Sequence, residues 1–288
     1  TAVAVISDGD EEQAVEGMKL MCHELIALSS SKPDEERLAE LAAAADGVVH
    51  LLQARAWAFF RAAAESAAAG AAVNVRPTKY VLNTLMQLFS HKSLAGGVSA
   101  PTLQALTGAL LVALLFLDDA ELQLDERPSL VKALNVLMLK VLENAPRTAT
   151  FCALLLLLRQ PPEQAAGFPA RVWDGSCTRF QDLLVKCIVK LTKALPATVH
   201  TKVDVREVLL SIHGFFMGLG VDEIRQRGAQ NDLSLRLVKT LLYELSRLLG
   251  PSIRSYLGSI PPEGSHPEPI IHAYIRLNLD SLQNPQAP

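Results

Sequence analysis

The residues best suited to chemistry in this chain are its four cysteines and seven histidines, and their spacing favours no reaction. Cys22 and His23 are adjacent, so on a helix their side chains point about 100° apart and cannot act together as nucleophile and base. No His-Glu-x-x-His motif occurs, and the histidines are scattered without the spacing of metal ligands. The sequence therefore predicts neither a metal site nor a nucleophilic enzyme.

Three further features are better explained by structure than by catalysis. The Gly218–Gly220 segment has too few glycines for a phosphate-binding loop and follows a predicted helix instead of a strand, so it is interpreted as a turn. His213 lies among apolar residues and fits a satisfied core or edge histidine better than a ligand. A cluster of carboxylates in a predicted loop has no basic or histidine counterpart, and capping or solubilising roles suit it best: Asp118, Asp119, Glu121, Asp125 and Glu126.

These observations lead us to expect a non-catalytic protein that needs no cofactor and no small-molecule substrate. The alternative is a helical enzyme with an unrecognised site. The absence of any motif that links a nucleophile to a base, or groups metal ligands, argues against that alternative.

The composition of the chain favours helices over sheets. Hydrophobic residues make up 50% of the chain and aromatic residues only 5%, while alanine and leucine are abundant. The formal net charge of −3 gives no electrostatic footprint for nucleic acid. The cysteines form no Cys-x-x-Cys pair, so we expect them to be reduced, as in cytoplasmic proteins: Cys22, Cys152, Cys177 and Cys187.

The two most apolar runs, Ala105–Leu117 and Ala153–Leu158, are interpreted as core helices. Each is shorter than the roughly 20 residues that a membrane-spanning helix needs. The opening residues, TAVAVIS, are too short for the apolar region of a signal peptide and lack its basic start. We therefore expect a chain that is neither secreted nor membrane-spanning.

Two apolar helical patterns lie between Pro128 and Leu158, and only a short turn joins them. The first is apolar nearly all round, as expected of a helix packed between neighbours, and Asn135 is expected to find its hydrogen-bond partner inside that stack. About a dozen helical patterns with mostly short connections follow one another along the chain. The sequence therefore predicts an all-α fold, an α-solenoid of paired helices.

This pattern divides the chain into one long repeat region and two short ends. Residues 8–283 form the predicted single solenoid, with an irregular segment rich in proline and glycine at 161–176. Residues 1–7 are predicted to be an N-terminal extension, and residues 284–288 a C-terminal tail.

A stripe of basic side chains marks the helix predicted from Cys177 to Leu195. Its apolar residues follow the three-and-four spacing of a buried face, and on the opposite face lies a ridge of lysines: Lys186, Lys190 and Lys193. Two interpretations stay open, namely a basic ridge for an acidic partner and a solvated helix face.

Five segments carry a family resemblance that runs in order through nearly the whole chain. They are YVLNTLMQLFSHK from Tyr80, LVKALNVLMLKVLENAPRT from Leu130, FQDLLVKCIVKLTK from Phe180, LVKTLLYELSRLLGPSI from Leu237 and PEPIIHAYIRLNLDSL from Pro267. They closely resemble the C-terminal region of the TOG-array microtubule polymerases, and plant microtubule-organisation proteins in particular. The resemblance implies HEAT-type repeats, the TOG-type solenoid, within a much larger protein. That protein would bind tubulin through several TOG domains and speed microtubule growth at plus ends, spindles and cortical arrays.

The resemblance also implies where a partner would bind. The tubulin-binding domains of that family use an exposed tryptophan in the first inter-helix loop, followed by Lys and Arg in later loops along one edge. Neither tryptophan of this chain matches, because Trp57 lies within a predicted helix and Trp173 in the irregular segment. Basic residues at or beside predicted turns are the candidate partner-binding residues: Arg76, Lys79, Lys92, Arg147, Lys202, Arg225 and Arg227. They would suit the acidic surface of tubulin, or they are the ordinary polar residues of turns.

Two functions follow as expectations. In the first, the region contacts tubulin or the microtubule lattice directly through these basic residues. In the second, it is a structural or adaptor scaffold that targets the parent protein through another plus-end or spindle protein without contacting tubulin. Both place the chain in the cytoplasm, on microtubules and the spindle, and neither involves nucleic acid or a membrane.

Overall fold

The computed structural model of the chain describes residues 2–28, 35–69, 74–118, 126–159 and 176–283. Every regular element in these ranges is a helix, so the all-α class predicted from the sequence is confirmed. The α-helices are α1 (Ala2–Asp8), α2 (Glu11–Ala27), α3 (Glu35–Ala68), α4 (Arg76–Leu88), α5 (Lys92–Ala95), α6 (Ala100–Leu117), α7 (Arg127–Asn144), α8 (Arg147–Arg159), α9 (Ser176–Lys193), α10 (Leu195–Thr198), α11 (Val205–Ala229), α12 (Leu233–Leu249) and α13 (Ile270–Gln283), with a 3-10 helix at Gly250–Tyr256.

The chain divides into two compact units. The first consists of Thr1–Thr150 with Pro162–Phe180, and the second of Phe151–Pro161 with Gln181–Pro288. The single solenoid over residues 8–283 therefore stays a prediction. Nearly all of the irregular segment predicted at 161–176, and the whole tail at 284–288, lie outside the described residues.

Short polar side chains begin several of the helices by accepting hydrogen bonds from backbone N–H groups that no helical carbonyl can reach. At α2 the cap is reciprocal, because Asp10 accepts from the backbone of Gln13 at 2.9 Å and Gln13 accepts from the backbone of Asp10 at 3.2 Å. The side chains of Ser99, Asp204 and Asp232 cap α6, α11 and α12 by accepting hydrogen bonds from the backbone, without the reciprocal bond. These caps set where the helices start and hence where the turns between them lie.

Helices α2 and α4 of the first unit lie side by side and run in the same direction. Near their beginnings, Asn74 donates a hydrogen bond of 2.8 Å to the carboxylate of Glu11. Near their ends, the ring Nε2 of His91 lies 2.8 Å from the carbonyl oxygen of Leu25. Two neighbouring helices that are joined at both matching ends must be parallel, as in the layers of a helical repeat.

Helix α7 continues this layer in the same direction. Lys79 in the first turn of α4 forms an ion pair with Glu126, the residue before α7. At the opposite end, Asn144 donates a hydrogen bond of 2.7 Å to the carbonyl of Phe89, the residue after α4. The turns that follow α4 and α7 therefore lie at one end of the first unit, and the turns that precede these helices lie at the other.

Helices α3 and α6 form the second layer of the first unit. The backbone N–H of Ser99 donates to Asp46 of α3 at 2.8 Å, which holds the beginning of α6 against α3. By length and composition, α6 is the one helix of the described residues that could cross a membrane, with a mean hydropathy of 1.9. However, 72% of that helix is buried inside the protein, where it packs against α3 and α7. It is a core helix of the first unit.

Gly97 provides the close approach between the turn before α6 and the backbone of α3. A Cβ at this position would lie 2.6 Å from the carbonyl oxygen of Ala42, closer than real Cβ contacts come. We expect Gly97→Ala to lower the free energy of unfolding by about 1–3 kcal/mol, because a backbone atom cannot move aside as a side chain would.

Gly47→Ala is the control, since nothing lies within 4 Å of its Cβ position. That change should raise stability, by up to about 1 kcal/mol. Urea unfolding followed by circular dichroism measures both, and a neutral Gly97→Ala would contradict the prediction.

The N-terminal residues form a helix where the sequence predicts only an extension. Helix α1 packs against α2 and buries Ile6 completely. Arg55 of α3 donates hydrogen bonds to the carbonyls of Ile6 at 2.8 Å, Ser7 at 2.5 Å and Gly9 at 3.1 Å. These carbonyls lie at the end of α1, where the helix leaves its own acceptors unpaired, so Arg55 acts as a C-terminal cap supplied by another helix.

The second unit is built around α11, which packs against α12 and α13. Phe216 of α11 is fully buried and stacks on Tyr274 of α13 with ring centroids 5.2 Å apart. The turn predicted at residues 218–220 is confirmed as a kink, because Gly220 has non-helical backbone angles and divides α11 into two helical stretches. The helix is interrupted at a single residue, Gly220, whose φ of 74° and ψ of 168° suit glycine and few other residues.

Asn135 is also placed differently from the prediction. It is exposed, and its side-chain amide donates to the carbonyl of Val131, one turn earlier in α7, at 2.9 Å. The hydrogen bond is internal to the helix, so Asn135 contributes no polar contact inside the stack.

Candidate partner-binding surface

The candidate residues of the first unit lie at two opposite ends of its helices. Arg76 and Lys79 lie in the first turn of α4, whereas Lys92 begins α5, just beyond the last turn of α4. The 13 residues of α4 separate these ends by about 20 Å. Arg76 lies 5.9 Å from the ring centroid of Tyr80, and Lys79 is ion-paired with Glu126. The structure therefore does not bring these three basic residues together.

Lys92 and Arg147 share one end of the first unit, because the turns after α4 and α7 lie there. Lys92 is exposed. The guanidinium of Arg147, however, is half-buried and donates a hydrogen bond of 2.5 Å to the carbonyl of Leu142, near the end of α7. Burial lowers the pKa of Arg147 from its ordinary value, and the charge of Glu143 opposes that effect. Arg147 is thus occupied with capping α7, and Lys92 is the more accessible charge.

The candidate residues of the second unit lie in two separate parts of the chain. Lys202 precedes α11, while Arg225 and Arg227 lie in its last turns, beyond the kink at Gly220. Arg227 makes a hydrogen-bonded ion pair with Glu223 at 2.5 Å, and Arg225 lies 3.7 Å from the carboxylate of Asp222. Their charges are therefore largely neutralised within their own helix.

The lysine ridge of α9 and the turn before α11 meet at one end of the second unit. Lys186, Lys190 and Lys193 are all exposed on α9, and Lys193 is its last residue. The connection to α11 is compact, because α10 starts directly after α9 and the N–H of Lys202 donates to the carbonyl of Thr198 at 2.9 Å. We call this surface the basic end of the second unit: Lys190, Lys193, His200 and Lys202.

The sequence analysis does not predict that the lysine ridge of α9 and Lys202 lie at the same end of the second unit, although the sequence contains a signal for it. The ridge is predicted as a helix face and Lys202 as a turn residue. Only nine residues separate Lys193 from Lys202, and a short connection keeps the end of one helix near the start of the next. Lysines in the last turn of α9 also interact favourably with its unpaired carbonyls, which by itself explains part of the pattern.

The residues that could do chemistry show no catalytic arrangement where they are described. No group of three or more His, Cys, Asp or Glu side chains among the described residues could hold a metal ion. His213 is half-buried, as an edge histidine would be, but its Nδ1 atom has no hydrogen-bond partner among the described residues. Burial lowers the pKa of His213, and the nearby His272 lowers it further.

Burial also makes the described cysteines poor nucleophiles. Desolvation raises the pKa of Cys187 to about 11, an effect that Lys190 opposes, and it raises the pKa of Cys22 and Cys152 as well. Because the thiolate is the reactive form, a raised pKa and burial together suppress attack by the thiol.

We expect Cys187 to resist a thiol reagent at pH 8 and to be labelled rapidly once the protein is unfolded in urea. Its folded pKa of about 11 exceeds the unfolded value of 9.0, so the neutral thiol stabilises the fold below pH 9, and this contribution is lost as the pH rises towards 11. Labelling at Cys187 should therefore accelerate steeply between pH 9 and 11. Peptide mapping by mass spectrometry separates the four cysteines. Rapid labelling of native Cys187 at pH 8 would contradict the assignment.

Comparison with known proteins gives relatives along almost the whole chain. No protein-family model matches it. The chain is 43% identical to Protein MOR1 of Arabidopsis thaliana over 98% of its length, and 41% identical to Protein MOR1 of rice, Oryza sativa, over the same share. It is 28% identical to Protein mini spindles of Drosophila melanogaster over 70% of its length. In these alignments it spans 14% of each MOR1 protein and 9% of mini spindles.

Three observations agree on one family. The helices are stacked in layers without strands in the described ranges, the five family-like segments lie on or across these helices, and the similarity to two plant proteins extends over 98% of the chain. Trp57 lies in α3, as the sequence predicts, so the loop tryptophan of the tubulin-binding domains is not found at that position. The chain therefore belongs to the TOG-array microtubule polymerase family, as a region that corresponds to about a seventh of the length of its plant members.

Proposed function

We propose that this chain is a non-catalytic docking region of a microtubule-associated polymerase, which helps its parent protein to support plus-end growth and the organisation of spindle and cortical arrays. It works in the cytoplasm, on microtubules and the spindle. Family membership supports the setting, and the stacked helices support a docking role, because repeat architectures present extended surfaces instead of enclosed active sites.

The observation that carries the proposal is the basic end of the second unit. Lys193 and Lys202 are exposed there, and no acidic partner is found for either among the described residues. Elsewhere Arg227 and Lys79 are ion-paired within the chain. Two exposed lysines without an acidic partner among the described residues attract an acidic protein locally, and the acidic surface of tubulin is the first candidate. In the first unit, the exposed side chain of Lys92 suits the same acidic partner.

An adaptor role without tubulin contact is the second candidate function. It is favoured by the fact that most of the seven turn residues are engaged within the chain, as Arg147 is by its hydrogen bond to Leu142. Under this alternative, the region carries the parent protein to plus ends or spindles through another protein.

Binding of the purified chain to purified tubulin distinguishes the two functions. We expect tubulin to be retained by the immobilised chain at low salt and released as salt is raised, because exposed charges beyond a Debye length are screened. Retention that does not respond to salt would contradict docking through the basic end. Absence of retention at low salt would leave the adaptor role as the function.

A further inference from the structure

Helices α8 and α11 lie side by side in the second unit and run in the same direction. Near their beginnings, the thiol of Cys152 donates to the carbonyl of Glu207 at 3.8 Å. Further along, Arg159 lies against Gly218. The two contacts are seven residues apart on α8 and eleven apart on α11, and the long side chain of Arg159 spans the difference.

Exposed apolar side chains concentrate on this helix pair. Leu156 of α8 is 36% exposed, and on α11 Leu210 is 37%, Met217 57% and Val221 57% exposed. Among the described residues of the second unit, the other exposed large aliphatic side chain is Leu277 of α13. Leu210 and Met217 are seven residues apart and share one face of α11, and Leu156 lies on the stripe of α8 that carries Cys152 and Arg159.

Arg159 lies within this apolar surface on a seat formed by two glycines of α11. A Cβ on Gly218 would lie 2.5 Å from Nε and 3.2 Å from Cζ of Arg159, and one on Gly214 would lie 3.7 Å from Nη1. The guanidinium therefore lies along the backbone of α11 at these two glycines. Arg159 is exposed, and no acidic partner is found for it among the described residues. A guanidinium in this state is able to bind a carboxylate with two parallel hydrogen bonds.

We propose that this surface, the α8–α11 face (Leu156, Arg159, Leu210 and Met217), docks an amphipathic helical segment of a partner protein. The apolar side of that segment covers Leu156, Leu210 and Met217, and a carboxylate of the segment pairs with Arg159. Helices that bind in grooves use apolar anchors three or four residues apart, and arginine is enriched among the residues that carry most of the binding energy of such surfaces. The flexible side chain of Met217 adapts to the anchor that it meets.

The charge on the face argues for an acidic segment over a second copy of this chain. Arg206, one turn before Leu210 on the same side of α11, is also exposed without an acidic partner among the described residues, whereas the carboxylates of Glu207 and Asp204 act on Cys152, near the beginning of both helices. In a symmetric dimer through this face, each copy would present the same arginines to the other, which disfavours association. The face is separate from the basic end, so this inference does not depend on tubulin binding.

Methyl NMR of methionine tests the proposal directly. The chain has five methionines, and Met217 is more than half exposed, whereas Met18, Met21 and Met138 are buried. The chain labelled with 13C at the methionine methyl groups is titrated with a synthetic amphipathic peptide that carries leucines at positions i, i+4 and i+7 and glutamates beside them. We expect the Met217 signal to shift and the signals of the buried methionines to stay in place. The same peptide with lysines instead of glutamates should bind at least about tenfold more weakly, as expected for the loss of a charge-assisted pair.

Variants of the seat identify the role of Arg159. Arg159→Gln and Gly218→Ala should each weaken the acidic peptide about tenfold, the second because its Cβ displaces the guanidinium. Gly214→Ala is the matched control, since its Cβ makes only an ordinary contact and should leave the affinity unchanged. Leu277→Asp should also have no effect, in contrast to Met217→Asp. Three results would each overturn the proposal. The first is equal binding of the acidic and basic peptides, and the second is a Met217 signal that shifts with neither peptide. The third is a Met217 signal that shifts when the chain alone is diluted.

Discussion

Phe216→Ala is expected to lower the free energy of unfolding of the second unit by about 3–5 kcal/mol. The side chain is fully buried in α11 and stacks on Tyr274 of α13 at 5.2 Å. It also makes an edge-to-face contact with Phe215, with centroids 6.0 Å apart. Truncation removes these aromatic contacts and leaves a cavity between two helices, and neither helix can move inwards without losing its other contacts.

The neighbouring residue provides the control for this prediction. Met217 is 57% exposed on the same helix, so Met217→Ala should change stability by no more than about 0.5 kcal/mol. Urea unfolding measured by circular dichroism gives the size of each effect, and amide hydrogen exchange in α11 and α13 shows whether the loss falls on the second unit. Equal stability of the two variants would mean that Phe216 does not join α11 to α13.

The beginnings of several helices could be predicted because they depend on local interactions. Asp10 begins α2 and Ser99 begins α6, and each side chain accepts a hydrogen bond from the backbone N–H three residues later. Caps involve residues three positions apart along the chain, so the sequence contains the whole interaction. The long alanine-rich helix around Trp57 is equally local, since its length follows from propensity and from the lack of a helix-breaking residue.

The kink of α11 could be predicted from its two glycines, but the separate role of Gly218 could not. The sequence predicts a turn at residues 218–220, and the structure places it at Gly220, where φ is positive. Gly218 has a different role, because it leaves room for Arg159, which is distant in sequence. The exposure of Asn135 has a similar explanation, since helical spacing gives the direction of a side chain but not which directions a neighbouring helix covers.

The candidate surface could be predicted residue by residue but not as an arrangement. Basic residues at turns can be found from the sequence, but successive turns of a helical stack lie at alternating ends of its helices. Lys79 and Lys92 flank the same helix and therefore lie at opposite ends. The ion pairs of Arg227 and the cap formed by Arg147 depend on side-chain positions that no spacing rule contains.

Reversing two charges at the basic end of the second unit is expected to weaken binding to tubulin about tenfold or more. Lys193→Glu with Lys202→Glu removes two favourable charges and replaces them with repulsive ones on an exposed surface. Each exposed charge contributes little alone, so single changes are expected to fall near the limit of detection. The effect should appear mainly as slower association and as a smaller dependence of the affinity on salt, because long-range electrostatic attraction acts on the encounter of the two proteins.

A second double variant makes this expectation specific to the basic end. Arg225→Glu with Arg236→Glu changes the net charge by the same amount, and both residues are exposed near the turn between α11 and α12, which the kink at Gly220 separates along the chain from Lys202. If net charge alone governed binding, both variants would weaken it equally. If the basic end is the docking surface, the first variant alone should bind poorly, while both unfold at the same urea concentration as the parent chain. Unchanged tubulin binding by the Lys193→Glu/Lys202→Glu variant would show that these lysines do not bind tubulin. They would then be solvated side chains, and Lys193 would only interact favourably with the unpaired carbonyls at the end of α9.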